Sequence, residues 1–469
     1  MADESLIGKE IGNPPLRLRL RHLRQETANF ENRGVYHLVV KIAFLSPPVT
    51  GHLNPMTTLA REFQSRNHNV VFISLPDAEA AVSAAGLTFL PCAVNEFPAG
   101  SLNQRLRERS KLQGEEALRV ILQNAAARTE AMLNSLPATL TAAAVDAVVL
   151  DTVLFYTELV PMSLGLPYAH VADALHFDYS GSTPLCFYDW PHETTPAALA
   201  RNQKGVVSFF ETLALTIAVG RAYAKRVGLD VDWDNPCATI SKRAWITQCP
   251  REFDFESSHW PPQFHHTGPF HDGIGRIDID FPWDRLTGEP LIYASMGTLQ
   301  NGLTDVFRTI TAATAKHKGF QLVLSIGDQI DPEQIGPFPS NTILVKRAPQ
   351  MELLKRASVC ITHAGLNTVL EALAQGVPQV AIPVTVDQPG VAARIAEKKT
   401  GLFVPLKELN VSRLTLLLDQ VLNDSTYRDN ARNFQKVIAE TNGLSKAADL
   451  LERAFGLTRK PIYEATSDA

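Results

Sequence analysis

The chain has 469 residues, 45% of them hydrophobic and 20% charged, with a formal net charge of -5; this suits two globular domains and excludes a nucleic-acid partner, since Lys and Arg are scattered rather than clustered. No apolar run reaches the roughly 18 residues of a membrane span. Five cysteines, Cys92, Cys186, Cys237, Cys249 and Cys360, form no CxxC spacing, which argues against a disulfide framework or zinc site and points to a reducing cytoplasm.

Residues 1–36 alternate Arg17, Arg19, Arg21 and Arg24 with Leu16, Leu18, Leu20 and Leu23. They have no apolar signal-peptide centre, and read as a poorly ordered extension or as a basic arm for peripheral contact with anionic lipid. An α/β pattern begins at Leu38: a buried strand over 39–45, a helix over 55–66, a strand over 70–73, a small-residue helix over 78–85 and a strand over 87–90. A long helix over 115–134 and a strand over 147–150 follow, then an aromatic-rich stretch from Phe155 to Val227. Most of those aromatics belong to a core, with a remainder available to line a pocket for an apolar molecule.

After a strand near 244–249, the stretch 251–290 is dense in Pro, Gly, His and Asp and reads as a linker. The strand-loop-helix logic restarts at Leu291, with a helix over 304–317 and closing helices over 411–422, 425–440 and 444–455. The expected organisation is an extension (1–36), a first α/β domain (37–250), the linker (251–290), a second α/β domain (291–443) and a final helix with tail (444–469). Alternating strands and helices imply doubly wound parallel sheets, and two such halves place a ligand cleft between them.

Chemistry concentrates between Arg347 and Ile395. The strand VCIT ends at Thr362 and a helix begins near Asn367, so His363, Ala364 and Gly365 form a tight strand-to-helix turn whose free amides attract a diphosphate. His363, Asn367 and Thr368 then supply donors for phosphate oxygens. Glu371, one helical turn deeper on the same face, can accept both hydroxyls of a ribose. A second turn, SMGT, offers Gly297 and Thr298 to the leaving diphosphate.

The block RAPQMELLKRASVCITHAGLNTVLEALAQGVPQVAIPVTVDQPGVAARI resembles the nucleotide-sugar signature of family 1 glycosyltransferases, whose fold is GT-B, two Rossmann-like domains facing across a cleft. The resemblance implies that Gln350 contacts the nucleoside, that Ala348 and Gly365 belong to the donor site, and that Asp387 and Gln388 bind hydroxyls of the transferred sugar. Arg347 stands where plant members place a Trp under the base, and its planar guanidinium can stack there instead. The segments YASMGTLQ, ITHAGLNTVLEAL and DQPGVAARI are similar to those of bacterial zeaxanthin glucosyltransferases.

Transfer to a hydroxyl requires a base. His52, in the Gly- and Pro-rich loop SPPVTGHLNP after the first strand, has the right ordinary pKa and lies at the carboxyl end of the sheet. Asp151, ending a buried strand at the same edge, is the carboxylate expected on its second nitrogen, and the resembling family uses such a pair. The expected reaction is inverting hexosyl transfer, with UDP-glucose as donor, to a lipophilic acceptor such as a carotenoid. The Asp-x-Asp pairs at Asp278/Asp280 and Asp230/Asp232 lie in connecting sequence, so neither metal nor cofactor is expected, the nucleotide sugar being a co-substrate. A monomer or weak dimer is expected. Flavonoid, polyketide or macrolide acceptors, a sugar-nucleotide epimerase and a catalytically silent auxiliary protein remain alternatives.

Overall fold

The computed structural model describes residues 39–102, 105, 112–272, 279–297, 302–328 and 330–457. The expectations for residues 1–36, Thr298 and Asp278 lie outside the described residues.

The first half comprises β1 (Lys41–Leu45), α1 (Thr50–Ser65), β2 (Asn69–Ser74), α2 (Glu79–Ala84), β3 (Thr88–Pro91), α3 (Gly114–Ala143), β4 (Ala147–Asp151), α4 (Leu159–Ser163), β5 (Tyr168–Ala172), α5 (Pro196–Thr212), α6 (Ala214–Val227), β6 (Trp245–Thr247) and β7 (Phe264–His266). Among the described residues its seven strands form one parallel sheet in the order β3-β2-β1-β4-β5-β6-β7. β1 is paired on both sides, Ile42 standing against Val70 and Ala147. Helices cover both faces, and so its sequence is an unbroken apolar run rather than an alternating one.

The second half comprises β8 (Leu291–Ser295), α7 (Thr304–Thr314), β9 (Gln321–Ser325), β10 (Thr342–Val345), α8 (Gln350–Leu354), β11 (Ala357–Thr362), α9 (Leu366–Ala374), β12 (Gln379–Ala381), α10 (Gln388–Glu397), β13 (Gly401–Phe403), α11 (Val411–Asn423), α12 (Ser425–Thr441) and α13 (Gly443–Phe455). Its strands run in the order β10-β9-β8-β11-β12-β13, again all parallel. In both sheets the order reverses beside the first strand, between β1 and β4 and between β8 and β11. A crevice opens at such a switch point at the carboxyl ends of the strands, and every candidate turn lies there.

Two expectations need correction. His52 is not in a loop: helix α1 starts at Thr50 and encloses it, running on through Pro55, whose missing N–H leaves one helical carbonyl free. The stretch 251–290 is not only a linker. It contributes edge strand β7 to the first sheet, a three-residue pairing too short to leave an alternating pattern. The last helix, α13, crosses back onto the first core as the family resemblance implied: Ala447, Ala448, Leu451 and Phe455 pack with Ile42, Leu59 and Phe63 of β1 and α1.

Leu451 is fully buried in that core. Leu451→Ala is therefore expected to destabilise the protein by about 2–5 kcal/mol, the usual range for a buried leucine leaving a cavity. Denaturant unfolding checks this, and a loss within 0.5 kcal/mol, typical of surface substitutions, would mean that α13 does not share the core.

Candidate active site

His52 lies in the first turn of α1, at the carboxyl end of β1. Its Nδ1 is 2.7 Å from Asp151 Oδ2, at the end of β4, and 2.8 Å from Asp173 Oδ1, just past β5. Both acidic side chains are completely buried, whereas the imidazole is 19% exposed. With Nδ1 engaged, Nε2 is the ring atom left for a substrate. Asp173 was not legible in the sequence. It follows a strand whose register against β4 pairs Val171 with Asp151, and that adjacency of two strand ends emerges only in the folded sheet.

Burial opposes a charge on His52, but the charges of Asp173 and Asp151 outweigh it and hold its pKa well above the usual histidine range. Burial first, and the Asp151 charge next, push Asp173 up to about 8. Asp387 also sits above the usual carboxylate range, through burial. It starts α10 of the second half, and its Oδ2 accepts the Leu175 N–H at 3.0 Å from the first half.

His52 lines an open cavity whose wall includes Leu118, Leu122, Val153, Phe155, Phe177, Phe187 and, from the second half, Val386 and Asp387. Phe155, Phe177 and Phe187 belong to a larger aromatic cluster with Tyr179 and Phe209. The aromatic stretch thus supplies both core and pocket.

Across the cleft, β11 ends in the His363-Ala364-Gly365 turn. Ala364 has φ +65°, a strained conformation for a side-chain-bearing residue, and no side chain caps the helix α9 that follows. The His363 ring is seated between Gly297 and Gly365, where an added Cβ would come within 2.6 and 2.5 Å of it. Gly297 also has φ +73°, so glycine is required there twice over. Burial lowers the His363 pKa to about 4, the hydrogen bond to the Ser295 backbone offsetting this only in part. The ring is neutral at pH 7.

Gln350, Thr368 and Glu371 come together: Gln350 Nε2 donates to Glu371 Oε2 at 2.6 Å and to Thr368 Oγ1 at 3.2 Å, and Tyr293 Oη donates to Gln350 Oε1 at 3.0 Å. Arg347 reaches the same edge beside Ala348, but its side chain is 61% exposed and paired with Asp328. The Gln388 side-chain oxygen Oε1 accepts the Val384 and Thr385 amides at 2.8 and 3.1 Å.

Asn367 does something unexpected. Its Nδ2 donates across the cleft to the Gly51 carbonyl at 2.5 Å, and its Oδ1 accepts from Gln248 Nε2 at 2.6 Å. The Gly51 oxygen is available because its helical partner four residues on is Pro55, which has no N–H. The turn carrying His52 is thus tied directly to the start of α9.

Two His/acid clusters occur among the described residues. In the first, both acids lie on the same nitrogen of His52. In the second, His176 and His266 share Asp254 Oδ2 at 3.0 and 2.8 Å, while Arg394 contacts the other oxygen from Nε and Nη2 at 2.9 and 2.8 Å. That buried guanidinium opposes a cation, and the set reads as an ion-pair network joining the two halves. Asp230 and Asp232 lie between α6 and β6, outside the cleft.

Two parallel doubly wound sheets, with a His-carboxylate group on one side of a cleft and a phosphate-type turn on the other, define a GT-B glycosyltransferase. A family profile described as UDP-glucoronosyl and UDP-glucosyl transferase matches residues 287–440. Zeaxanthin glucosyltransferase from Pseudescherichia vulneris is 30% identical over 423 residues, covering 88% of this chain and 97% of that protein. The enzyme of the same name from Pantoea ananas is 28% identical over 431 residues, covering 91% and 98%. The solved glycotransferase of kitacinnamycin superposes with TM-score 0.69 at 22% identity, over 89% of this chain and 99% of that one. The calicheamicin glycosyltransferase CalG4 superposes with TM-score 0.67 at 20% identity, over 89% and 99%. The chain belongs to the UDP-glucoronosyl and UDP-glucosyl transferase family. Among its described residues no single helix is long and apolar enough to cross a membrane.

The His363 shift yields a pH dependence. The folded-state pKa of about 4 lies below the ordinary 6.5, so the unfolded chain binds the extra proton in that interval. The stability contributed by neutral His363 is full above about pH 6.5 and is lost progressively as pH falls toward 4. His363→Gln is expected to flatten that part of the stability curve. Denaturant midpoints at pH 4.5 and 7, as flagged by that interval, check it; equal pH slopes in the two proteins would contradict the buried, neutral imidazole.

Proposed function

We propose that this protein is an inverting, metal-independent glucosyltransferase that moves glucose from UDP-glucose to a hydroxyl of a lipophilic small molecule such as a carotenoid. One observation carries the reading. The free edge of a carboxylate-backed histidine lines a largely apolar cavity that also contains Asp387, next to the donor-side turns. His52 Nε2 takes the acceptor proton as the acceptor oxygen attacks the anomeric carbon, and UDP departs from the opposite face. Asp387 and Gln388 hold sugar hydroxyls, Glu371 the ribose, and Gln350 with Arg347 the base.

The donor class is supported by the family profile, and the acceptor class by the apolar cavity and the two zeaxanthin glucosyltransferases. The departing diphosphate is met by the free amides at the start of α9, by His363 and Thr368, and by the loop after β8. These groups make a divalent cation unnecessary.

The reading is tested by measuring UDP release and glycoside formation across UDP-sugars with carotenoid, flavonoid and polyketide acceptors. UDP-glucose with a hydroxylated carotenoid is expected to give the highest kcat/KM; a better polyketide substrate would reassign the acceptor. His52→Ala is expected to lower turnover by about 10² to 10⁴ with donor affinity unchanged, since the base acts only on the acceptor. Glycoside formation at the wild-type rate in that variant would remove His52 from the reaction.

The metal assignment is checked separately with excess chelator. Activity is expected to persist, whereas loss with chelator and recovery with Mg²⁺ or Mn²⁺ would contradict it.

A further inference from the structure

An imidazole has a single hydrogen on Nδ1, yet the Nδ1 of His52 faces two carboxyl groups, Asp151 at 2.7 Å and Asp173 at 2.8 Å, both fully buried. One ring nitrogen of His52 and one oxygen from each carboxyl lie within 4.8 Å of one another. Two carboxylates so close in a dry site do not both ionise, and one keeps a proton that it shares with the other.

The surroundings decide which. Asp151 Oδ1 accepts the Val153 N–H at 3.0 Å, which favours its anion. Among the described residues no backbone N–H reaches either oxygen of Asp173, whose neighbours in charge are Asp151 and His52. We propose that Asp173 is a positioning residue for glycosyl transfer, standing protonated behind the base and donating its O–H to Asp151, so that the pair presents one negative charge to His52 rather than two.

The consequence is chemical. Facing two charges, a histidine already raised in pKa would be held as imidazolium and could not accept the acceptor proton. Facing one, it returns to the neutral form between turnovers, its Nδ1–H still donated to Asp151. During transfer the acceptor proton moves to Nε2 and the shared carboxyl proton stays in place. Asp387 from the second half also faces His52 and is fixed by the Leu175 amide, and Asp77, Arg105 and Arg128 line the same cavity. The inference rests on the proposed role of His52 as base.

The test compares pH profiles of kcat/KM for the full-length wild type, Asp173→Asn and Asp173→Ala, with UDP-glucose and a hydroxylated carotenoid in detergent. The asparagine amide, neutral and able to donate to Asp151, is expected to keep the plateau within about threefold and the acid limb within about 0.3 pH unit of wild type. Asp173→Ala leaves Asp151 without that donor, and is expected to lower the plateau and move the limb upward. A limb displaced downward by about one unit in Asp173→Asn would show that two charges face His52 and overturn the proposal; so would three indistinguishable profiles.

Infrared difference spectra of the wild type against Asp173→Asn provide a readout that needs no turnover. Because the buried Asp387 carboxyl is raised as well, the expected signal is a protonated-carboxyl band at pH 7 that disappears as pH rises past about 8 and is missing from the variant; no band in the wild type, or one unchanged in the variant, would overturn the assignment. An inactive wild type that shows the band counts against the glucosyl-transfer reading and leaves Asp173 as assigned.

Discussion

A carboxylate removed from water must be met by charge or hydrogen bonds, and here that requirement fixes the imidazole of the cleft. Asp151 and Asp173 are wholly buried at neighbouring strand ends, and His52 Nδ1 lies 2.7 and 2.8 Å from their oxygens, its hydrogen directed to Asp151. Satisfying them orients the ring and leaves Nε2 for a substrate. The arrangement depends on the strand order, since only a sheet that reverses between β1 and β4 brings the helix after β1 over the ends of β4 and β5. Removing one partner of such a buried group costs several kcal/mol, so geometry and stability are coupled at this point.

The same region ties the two halves together. Pro55 frees the Gly51 carbonyl, Asn367 donates to it, and Gln248 holds Asn367 from the other side. Nearby, Asp387 accepts the Leu175 amide, and the buried Asp254–Arg394 pair joins the segment before β7 to α10. These contacts fix the distance across which the base and the donor turn face one another. A single proline, costly elsewhere in a helix, here creates the acceptor for a cross-cleft hydrogen bond.

Much of this was legible in the sequence because the signals are local. The apolar runs of β1, β4, β8 and β11 and the His363-Ala364-Gly365 turn are written in adjacent residues, and the approach of His52 to Asp151 could be inferred from strand ends. Asp173 could not, since its proximity to His52 follows from β4–β5 register. The bridging role of Asn367 depends on domain closure, and α13 joins the first core through a fold-back that no periodicity encodes. Strand β7 was hidden by its length of three residues and its setting among Pro and His.

The central claim is a single displacement driven by His52, and the stereochemistry of the product reports on it most directly. With α-linked UDP-glucose as donor, proton NMR of the isolated glycoside is expected to show the large trans-diaxial coupling of a β-anomer. A small coupling, marking an α-glycoside formed with retention, would contradict the account, because one attack opposite the departing diphosphate cannot produce it.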